Sequence, residues 1–270
     1  MRSVSLAGLL ICMLAACTIS DEQEVAFGRE NAEKINEAIP LVTDSRATSY
    51  LSQLGESIAS RTSRSGLAWH FAIVNSDEVN AFALPGGYIY VNRGLIERAE
   101  RLEHLAGVLG HEIGHVVERH SVEQMKKTTG ASVVVTVICV VTSLCESGLS
   151  QVAINVAGSA ILARYSRADE IEADSQAVVN VVNAGIHPSG VPEFFQTLLR
   201  ERSRNPSMFD TFFASHPVEE SRVQYTERLI ATFDADRLND LASDDARYQE
   251  FRAVLQALPP APPPRQLPAP

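Results

Sequence analysis

The sequence has few cysteines, no cluster of basic residues and no interior apolar run long enough to span a membrane. Lysine and arginine number 23 against 33 acidic residues, for a net charge of −10, which excludes the basic surface of a nucleic-acid-binding protein. The longest interior apolar stretch, residues 131–145, falls short of the roughly 20 residues that a spanning helix needs. Hydrophobic residues make up 45% of the chain, which excludes a disordered protein. The 270 residues predict one compact domain, with or without a tail.

The N-terminus resembles the signal peptide of a bacterial lipoprotein. One basic residue, Arg2, precedes an apolar run at residues 6–16 that is too short to cross a bilayer. The run ends in Leu-Ala-Ala-Cys at residues 14–17, which resembles a lipobox, the motif whose cysteine is lipidated and becomes the first residue of the mature chain. We therefore predict lipidation of Cys17, with an ordinary secretory signal as the alternative.

This interpretation divides the chain and places it in the cell. It predicts a signal peptide at residues 1–16, a lipidated linker at 17–23 and a membrane contact made by the lipid anchor. Because Thr18 rather than aspartate follows the cysteine, resemblance to enterobacterial sorting predicts periplasmic anchoring to the outer membrane of the bacterial cell envelope. The Pro-rich residues 258–270 cannot form helix or sheet ladders and predict a disordered tail or an extended linker.

Two cysteines remain in the body of the chain, Cys139 and Cys145, both within the apolar stretch 131–145. The periplasm allows disulfides, but on a continuous helix these side chains would point about 240° apart, so a bridge requires a turn between them. A disulfide and two buried free cysteines are both compatible with the sequence. The stretch itself is expected to be a buried helix or strand, with a surface that contacts lipid or shields a cleft as the alternative.

Hydrophobic periodicity predicts a mostly helical chain with a small β-hairpin. Apolar residues recur every third or fourth position in the helical segments, and they alternate with polar residues in the first strand. Pro85-Gly86-Gly87 separates two short strands and predicts the turn of a hairpin. The predicted helices cover residues 24–39, 44–60, 95–99, 102–117, 152–163, 169–183, 188–202 and 218–233, and the predicted strands cover residues 69–74, 80–84 and 88–91.

The central motif is His-Glu-Ile-Gly-His at residues 111–115, inside a predicted helix. His111 and His115 are one helical turn apart on the same face, so both imidazoles can bind one Zn²⁺ at about 2.0–2.1 Å. Glu112 borders that face and can take a proton from an attacking water. The motif predicts a zinc site with His111 and His115 as metal ligands and Glu112 as the general base.

A catalytic zinc site needs a third protein ligand and an open position for water. Glu118 and Ser121 stand where the extended metzincin motif requires glycine and histidine, so that class is excluded. His120 lies nine residues after His111, half a turn out of phase on a continuous helix, and is expected to be a solvated surface residue. The third ligand therefore has to come from elsewhere in the chain.

An acidic stretch at residues 165–174, Tyr-Ser-Arg-Ala-Asp-Glu-Ile-Glu-Ala-Asp, offers that ligand. Helical spacing places Glu170 and Asp174 on one face and Glu172 about 200° away from it. We predict Glu170 as the third zinc ligand and Asp174 as the acceptor for the remaining N–H of a zinc-binding histidine. Glu172 and Asp169 are interpreted as a solvated acidic face.

The order of these motifs resembles metallopeptidase family 48, which includes HtpX and the CAAX prenyl proteases, and in particular its periplasmic lipoprotein branch. The resemblance covers about residues 24–230. It combines HEIGH, the downstream EIEAD after Tyr-Ser-Arg, the hairpin NAFALPGGYIYV and a late Ser-His-Pro at residues 215–217. It implies an α+β fold, a mainly helical gluzincin domain with a small β-sheet whose edge strand lines the active-site cleft.

The resemblance also implies a chemistry and a set of site residues. The implied activity is that of an endopeptidase with one Zn²⁺ per chain, bound by His111, His115 and Glu170. Glu112 is then the general base and Asp174 supports the site. Spanning helices, which HtpX-type relatives carry between the two motifs, are not implied here.

If the chain is a peptidase, the predicted hairpin has a role as well. A peptidase has to hold an extended peptide, and an unpaired strand edge does so with main-chain hydrogen bonds that are indifferent to sequence. A purely structural hairpin is the alternative. The candidate substrate-binding edge consists of Asn80, Ala81, Phe82, Ala83 and Leu84.

The roles of two residues near the end of the region of resemblance remain open. His216 is expected either to approach the metal, where it would stabilise the oxyanion or occupy the open position at rest, or to be a turn residue before Pro217. Arg222 is expected to be a solvated helix charge, with pairing to an acid near the site as the alternative.

Together these observations predict, for a domain at residues 24–257, a zinc-dependent endopeptidase of the cell envelope. Its predicted partners are misfolded or unassembled envelope proteins as substrates and, through the lipid, the membrane. One alternative is a chaperone-like protein that holds clients on the same edge strand and seldom cleaves them. A zinc-dependent hydrolase of small amides is another.

Overall fold

The computed structural model describes residues 19–127 and 165–261. Helices dominate these ranges and accompany one three-stranded sheet, which confirms the predicted α+β fold class. The described elements are α1 (Asp21–Ala38), α2 (Ser45–Ala59), β1 (His70–Val74), β2 (Ala81–Leu84), β3 (Tyr88–Asn92), α3 (Arg93–Arg98), α4 (Leu102–Val117), α5 (His120–Lys127), α6 (Arg167–Asn183), α7 (Gly190–Arg202), a 3-10 turn (Pro206–Met208), α8 (Asp210–Ser215), α9 (Glu220–Ile230), α10 (Ala235–Asn239) and α11 (Ala246–Gln256).

Several sequence predictions lie outside the described residues. They are the signal peptide at residues 1–16, the lipidated Cys17, the apolar stretch with Cys139 and Cys145, the helix predicted at residues 152–163, and the end of the Pro-rich tail. Within the described ranges, no helix combines the length and the apolar character that crossing a membrane requires.

The sheet has the strand order β1-β3-β2, with β1 parallel and β2 antiparallel to the central strand. The predicted hairpin of β2 and β3 is present, and its turn contains Gly86 and Gly87 at φ 80° and 93°. Glycine adopts this left-handed region without steric cost, which explains the Pro-Gly-Gly turn. Among the described residues β2 has no partner on its outer side, so it forms an edge of the sheet.

Helix α4, which carries the HEIGH motif, is buried along its whole length. It packs closely on α6 because glycines face that helix: a Cβ at Gly114 would lie 2.9 Å from the carbonyl oxygen of Ala173, and one at Gly110 would lie 3.1 Å from the Cα of Ala177. Such a short distance between backbones requires residues without side chains. The packing brings the HEIGH motif next to the first turns of α6.

The end of α4 is held by the N-terminal helix. Arg119, two residues after α4, adopts φ 59°, and its guanidinium pairs with Asp21 at 2.9 Å and with the buried Glu24 at 3.0 Å. Arg64 joins Glu24 at 2.8 Å and donates to the carbonyl oxygen of Val116 at 2.9 Å. The left-handed residue reverses the chain, so α5 folds back toward the motif instead of continuing α4.

Candidate active site

Four ligand-type side chains from three parts of the chain converge on one buried point. His111 and His115 lie on α4, Glu170 on α6, and His216 directly after α8. Their donor atoms all lie within 4.8 Å of one another, and all four residues are buried. The two Nε2 atoms of α4 are 3.0 Å apart, and Glu170 Oε1 is 3.5 Å from that of His115. The structure thus brings together the three predicted ligands and the histidine whose placement was left open.

The position of Glu170 follows from the start of α6. Ser166 caps this helix, and its hydroxyl oxygen accepts from the backbone N–H of Asp169, whose carboxylate accepts in return from the backbone N–H of Ser166. This capping box begins the helix at Arg167. Glu170 and Asp174 then lie one turn apart on the face toward α4, as the spacing predicts. Asp169 therefore takes part in the capping box and is not only a solvated acidic residue.

Asp174 orients His111. The Nδ1 atom of His111 is 2.9 Å from Asp174 Oδ1, and both side chains are buried. A carboxylate next to Nδ1 keeps the ring proton there, so Nε2 presents its lone pair to the ligand cluster. This is the arrangement that a metal-binding histidine requires.

Arg222 is buried, so the expectation of a solvated charge is wrong and the alternative pairing is observed. Its Nε and NH2 donate to Asp174 at 2.8 and 2.7 Å, and its NH1 lies 2.5 Å from Glu170 Oε2. Burial alone would raise the pKa of Asp174, but the guanidinium outweighs it and lowers that pKa. An arginine is buried only where carboxylates compensate its charge. The residues around Arg222 in the sequence do not reveal these partners, so an exposed side chain was expected.

Glu112 is buried between these groups, and no described residue donates a hydrogen bond to either of its carboxylate oxygens. Burial raises its pKa above the ordinary glutamate value. A buried carboxylate without a hydrogen-bond partner carries a large desolvation cost. In a catalytic base, a hydrogen bond from the attacking water offsets part of this cost.

His216 lies at the centre of the cluster. Its Nδ1 is 3.1 Å from Glu170 Oε1 and 3.3 Å from His111 Nε2, and its Nε2 is 3.6 Å from Glu112 Oε1. Burial would lower the pKa of His216, but the Glu170 and Glu112 carboxylates outweigh it and raise that pKa. The structure therefore places His216 among the ligand-type groups.

The expectation that His120 is a solvated surface residue is wrong. His120 is 4% exposed, and its Nδ1 lies 2.8 Å from Nδ1 of His115. Glu172, interpreted as part of a solvated face, lies 3.1 Å from His120 Nε2. The helical-wheel argument failed because α4 ends at Val117 and the chain reverses at Arg119. Sequence periodicity contains no signal for that left-handed residue.

Tyr165 is a second contact that sequence analysis did not assign. Its ring stacks on that of His115, with the centroids 3.9 Å apart and the planes 19° apart. Its hydroxyl group is 3.0 Å from Ser121 Oγ at the start of α5. The available signal was its place in the Tyr-Ser-Arg that precedes the acidic motif.

The donor set fits a divalent metal, and zinc in particular. Two nitrogen ligands of one tetrahedral zinc, each at about 2.0–2.1 Å, lie about 3.3 Å apart. The 3.0 Å between the Nε2 atoms of His111 and His115 is close to this value. Without a cation two imidazole lone pairs at this distance repel, and Glu170 supplies the anionic oxygen that completes a His-His-Glu set.

A second group of ligand-type residues, Glu103, His104 and Glu193, lies at the N-terminal end of α4. Here the guanidinium of Arg101 already lies between the carboxylates, 2.6 Å from Glu103 and in direct contact with Glu193. The positive charge that this group needs is therefore supplied by the protein.

The predicted edge strand lies against the HEIGH helix, since β2 packs on α4. Strand β2 begins at Ala81, one residue later than predicted, and Asn80 precedes it as a buried residue. The Asn92 amide donates to the Asn80 carbonyl oxygen at 2.9 Å. Because bonded pairs alternate along an antiparallel ladder, the main-chain N–H and C=O groups of Ala81 and Ala83 point away from β3, toward the free edge.

Comparison with known proteins agrees with these features. The chain is 27% identical over 215 residues to the β-barrel assembly-enhancing protease of Escherichia coli K12, an alignment that covers 77% of this chain and 44% of that protein. It is 30% identical over 220 residues to the metalloprotease YcaL of the same organism, covering 80% and 84%. It is 29% identical over 184 residues to the mitochondrial metalloendopeptidase OMA1 of Schizosaccharomyces pombe, covering 68% and 53%.

The chain thus spans less than half the length of the assembly-enhancing proteases that it matches. The matching family model is that of peptidase family M48, and it covers residues 45–230, more than half of the chain. This region contains the HEIGH motif, the acidic helix and the late histidine. The chain therefore belongs to peptidase family M48, as its motifs predicted.

Proposed function

We propose that this protein is a zinc-dependent endopeptidase of the bacterial cell envelope. The observation that carries the proposal is the buried convergence of two imidazoles and a carboxylate beside Glu112, a carboxylate without a hydrogen-bond donor. Membership of a peptidase family supports it, and so do relatives named metalloprotease and metalloendopeptidase.

In this proposal His111, His115 and Glu170 bind the zinc ion, and Asp174 holds the ring of His111 in place. When bound, zinc in such a site would polarise the scissile carbonyl and would lower the pKa of a water that it binds to about 7. The buried position of all three ligands excludes bulk water. This strengthens every electrostatic contact in the site.

Glu112 acts as the general base. It accepts a proton from the attacking water, and its raised pKa fits it to hold that proton and to pass it to the leaving amine. No covalent intermediate with the protein is required. The C–N bond is broken and the water oxygen stays on the new carboxylate. Both protons of the water end on the leaving amine, the first through Glu112 and the second as the new carboxyl group ionises.

His216 has two candidate roles in this mechanism. Its Nδ1 belongs to the cluster of ligand atoms, which favours occupation of the fourth metal position at rest. Its Nε2 lies 3.6 Å from Glu112 Oε1, which supports the other role, donation of a hydrogen bond to a developing oxyanion.

The substrate peptide binds along the free edge of β2. Ala81 is fully buried, but the partly exposed Ala83 offers its N–H and C=O groups on that edge. Such groups bind an extended chain as a further strand and are indifferent to its sequence. The substrates proposed are misfolded or unassembled envelope proteins. The name of the β-barrel assembly-enhancing protease supports this class.

The proposed position in the cell rests on the N-terminus. Removal of residues 1–16 and lipidation of Cys17 would anchor the peptidase domain, residues 24–257, to the outer membrane on its periplasmic side. Helix α1 begins four residues after this cysteine and contacts the chain just after α4.

Metal analysis of the purified mature chain, combined with cleavage of unfolded casein with and without a chelator, tests the proposal. We expect about one zinc per chain, cleavage at internal bonds, loss of cleavage with the chelator and recovery on adding Zn²⁺. A chain without bound metal, or cleavage indifferent to the chelator, would overturn it. Client rescue retained by Glu112→Gln would indicate a holding protein, and turnover of short amides only would indicate a small-amide hydrolase.

A further inference from the structure

We propose that His120 and Glu172 position His115 through a hydrogen-bonded relay that aims its Nε2 at the metal. The inference rests on the proposed function, because it takes His115 as a zinc ligand. His120 and Glu172 do not themselves reach the ligand cluster, so both are positioning residues.

The contacts run in one line from the cluster to the surface. His115 is fully buried, and its Nδ1 lies 2.8 Å from Nδ1 of His120, which is itself 4% exposed. On the far side of the His120 ring, Nε2 lies 3.1 Å from Glu172 Oε2. The side chain of Glu172 is 61% exposed. One end of the line therefore faces the proposed metal and the other faces water.

The direction of the protons follows from the ligand role. A metal-binding Nε2 presents a lone pair, so the proton of the neutral His115 ring is on Nδ1. His120 Nδ1 then accepts that proton's hydrogen bond, which places its own proton on Nε2, and this proton is donated to Glu172. Each donor meets one acceptor, so a single arrangement of tautomers satisfies the whole line.

Packing restricts the remaining freedom of the ring. Tyr165 lies flat against His115, and its hydroxyl is held 3.0 Å from Ser121 Oγ, the residue next to His120. Stacking prevents the His115 ring from tilting, and the bond at Nδ1 prevents it from turning within its plane. The start of α5 thus contacts the metal-ligand ring by both routes.

The relay also explains why the two histidine ligands have different supports. His111 is held directly by the buried carboxylate of Asp174, whose charge is matched by Arg222. A second buried carboxylate beside His115 would add another anion near Glu170. The intervening imidazole of His120 lets the carboxylate of Glu172 remain in water while it still fixes the tautomer.

The test compares substitutions that differ in one acceptor atom. Leucine and asparagine side chains have the same branched shape with four heavy atoms each, but only asparagine offers an oxygen near the position of Nδ1. We expect His120→Leu to weaken Zn²⁺ binding about 10–100-fold in competition with a chelator and to shift the visible spectrum of the Co²⁺-loaded protein. We expect His120→Asn to stay within a few-fold of the wild type in both measurements.

A second pair of substitutions changes Glu172. Glu172→Ala is expected to weaken Zn²⁺ binding several-fold, and Glu172→Gln, which keeps an acceptor oxygen, less. The matched control is Glu220→Ala, which removes an exposed acid from the first turn of α9, and it should leave Zn²⁺ affinity unchanged. Urea unfolding of the metal-free variants separates a folding defect from a binding defect.

Equal Zn²⁺ affinity and equal Co²⁺ spectra for wild type, His120→Leu and Glu172→Ala would overturn the relay. If His115→Ala still lost its metal in that experiment, the proposed function would stand and only the relay would fail. A wild-type chain that bound no Zn²⁺ would overturn both.

Discussion

Arg222 and Asp174 are joined by two hydrogen bonds, at 2.8 and 2.7 Å, and both side chains are buried. The same carboxylate holds Nδ1 of His111. A single arginine on α9 thereby stabilises the charge that orients a candidate metal ligand on α4.

Replacing this arginine should destabilise the protein strongly. Arg222→Leu leaves the buried carboxylate of Asp174 with the hydrogen bond from His111 but without its guanidinium partner, and we expect the free energy of unfolding to fall by about 3–5 kcal/mol in urea titrations at neutral pH. The matched control is Arg167→Leu, which breaks an exposed pair with Glu219 and should cost less than about 1 kcal/mol. Equal losses in the two variants would contradict the argument.

The same pair predicts a pH dependence. The pKa of Asp174 is lowered in the folded protein, so its stabilisation is present above the ordinary value of about 3.9 and is lost as the pH falls through the lower folded value. The stability difference between wild type and Arg222→Leu should therefore shrink as urea titrations are moved from neutral toward acidic pH. A difference that grows on acidification would show that another group dominates.

Glu112→Gln should separate metal binding from hydrolysis. Glutamine keeps the shape of the side chain but cannot accept the proton of the attacking water, so casein cleavage should fall by about 10²–10⁴-fold while zinc content stays at the wild-type level. His111→Ala should lose the metal itself. Cleavage by Glu112→Gln at the wild-type rate would exclude this residue as the base.

Ala83→Pro tests the edge strand. Proline removes the N–H that points away from β3 and leaves the hairpin ladder intact, as edge positions allow. Loss of one main-chain hydrogen bond should raise KM for an unfolded protein substrate about 2–10-fold, with zinc content unchanged. Ala83→Ser, which keeps the N–H, serves as the control, and a KM unaffected by proline would place substrate binding elsewhere.

Gly114→Ala tests the close packing of α4 on α6. The new methyl group would lie 2.9 Å from both the Ala173 carbonyl oxygen and the Gln176 Cβ, so the helices have to separate. We expect a loss of about 1–3 kcal/mol in unfolding free energy, with weaker Zn²⁺ binding. Gly66→Ala is the control, because its Cβ would have no heavy atom within 4 Å.

His216→Ala distinguishes the two roles proposed for this histidine. Because its Nδ1 lies among the ligand atoms, we expect the substitution to open the fourth metal position and to increase basal casein cleavage without loss of zinc. A fall in kcat at constant zinc content would instead assign His216 to stabilisation of the oxyanion.

Local spacing explains which parts of the site were accessible from the sequence. His111, Glu112 and His115 share one helix, and Glu170 and Asp174 share another, so a 3.6-residue period is enough to group them. That the two helices meet depends on glycines in α4, whose packing role is visible only when the facing helix is known. The hairpin followed from its turn residues, whereas the parallel pairing of β1 with β3 is a long-range contact that no local pattern contains.

The two wrong predictions, for His120 and Arg222, also have physical causes. His120 was assigned by extending the helical period past Val117, and one left-handed residue, Arg119, invalidates that extension. Arg222 was assigned by the usual exposure of arginine, which holds unless buried carboxylates are present to receive it. Asp174 and Glu170 supply those carboxylates from a segment far away in the sequence.

The candidate ligands lie far apart in the sequence, and this separation determines when during folding the protein can begin to hydrolyse peptides. His111 lies 63 residues from Asp174 and 105 residues from His216, so no fragment that lacks α6 or the segment after α8 can assemble the whole centre. Hydrolytic capacity would then arrive late in folding, after these helices have docked. A copy that is still folding would be unable to cut itself or neighbouring proteins.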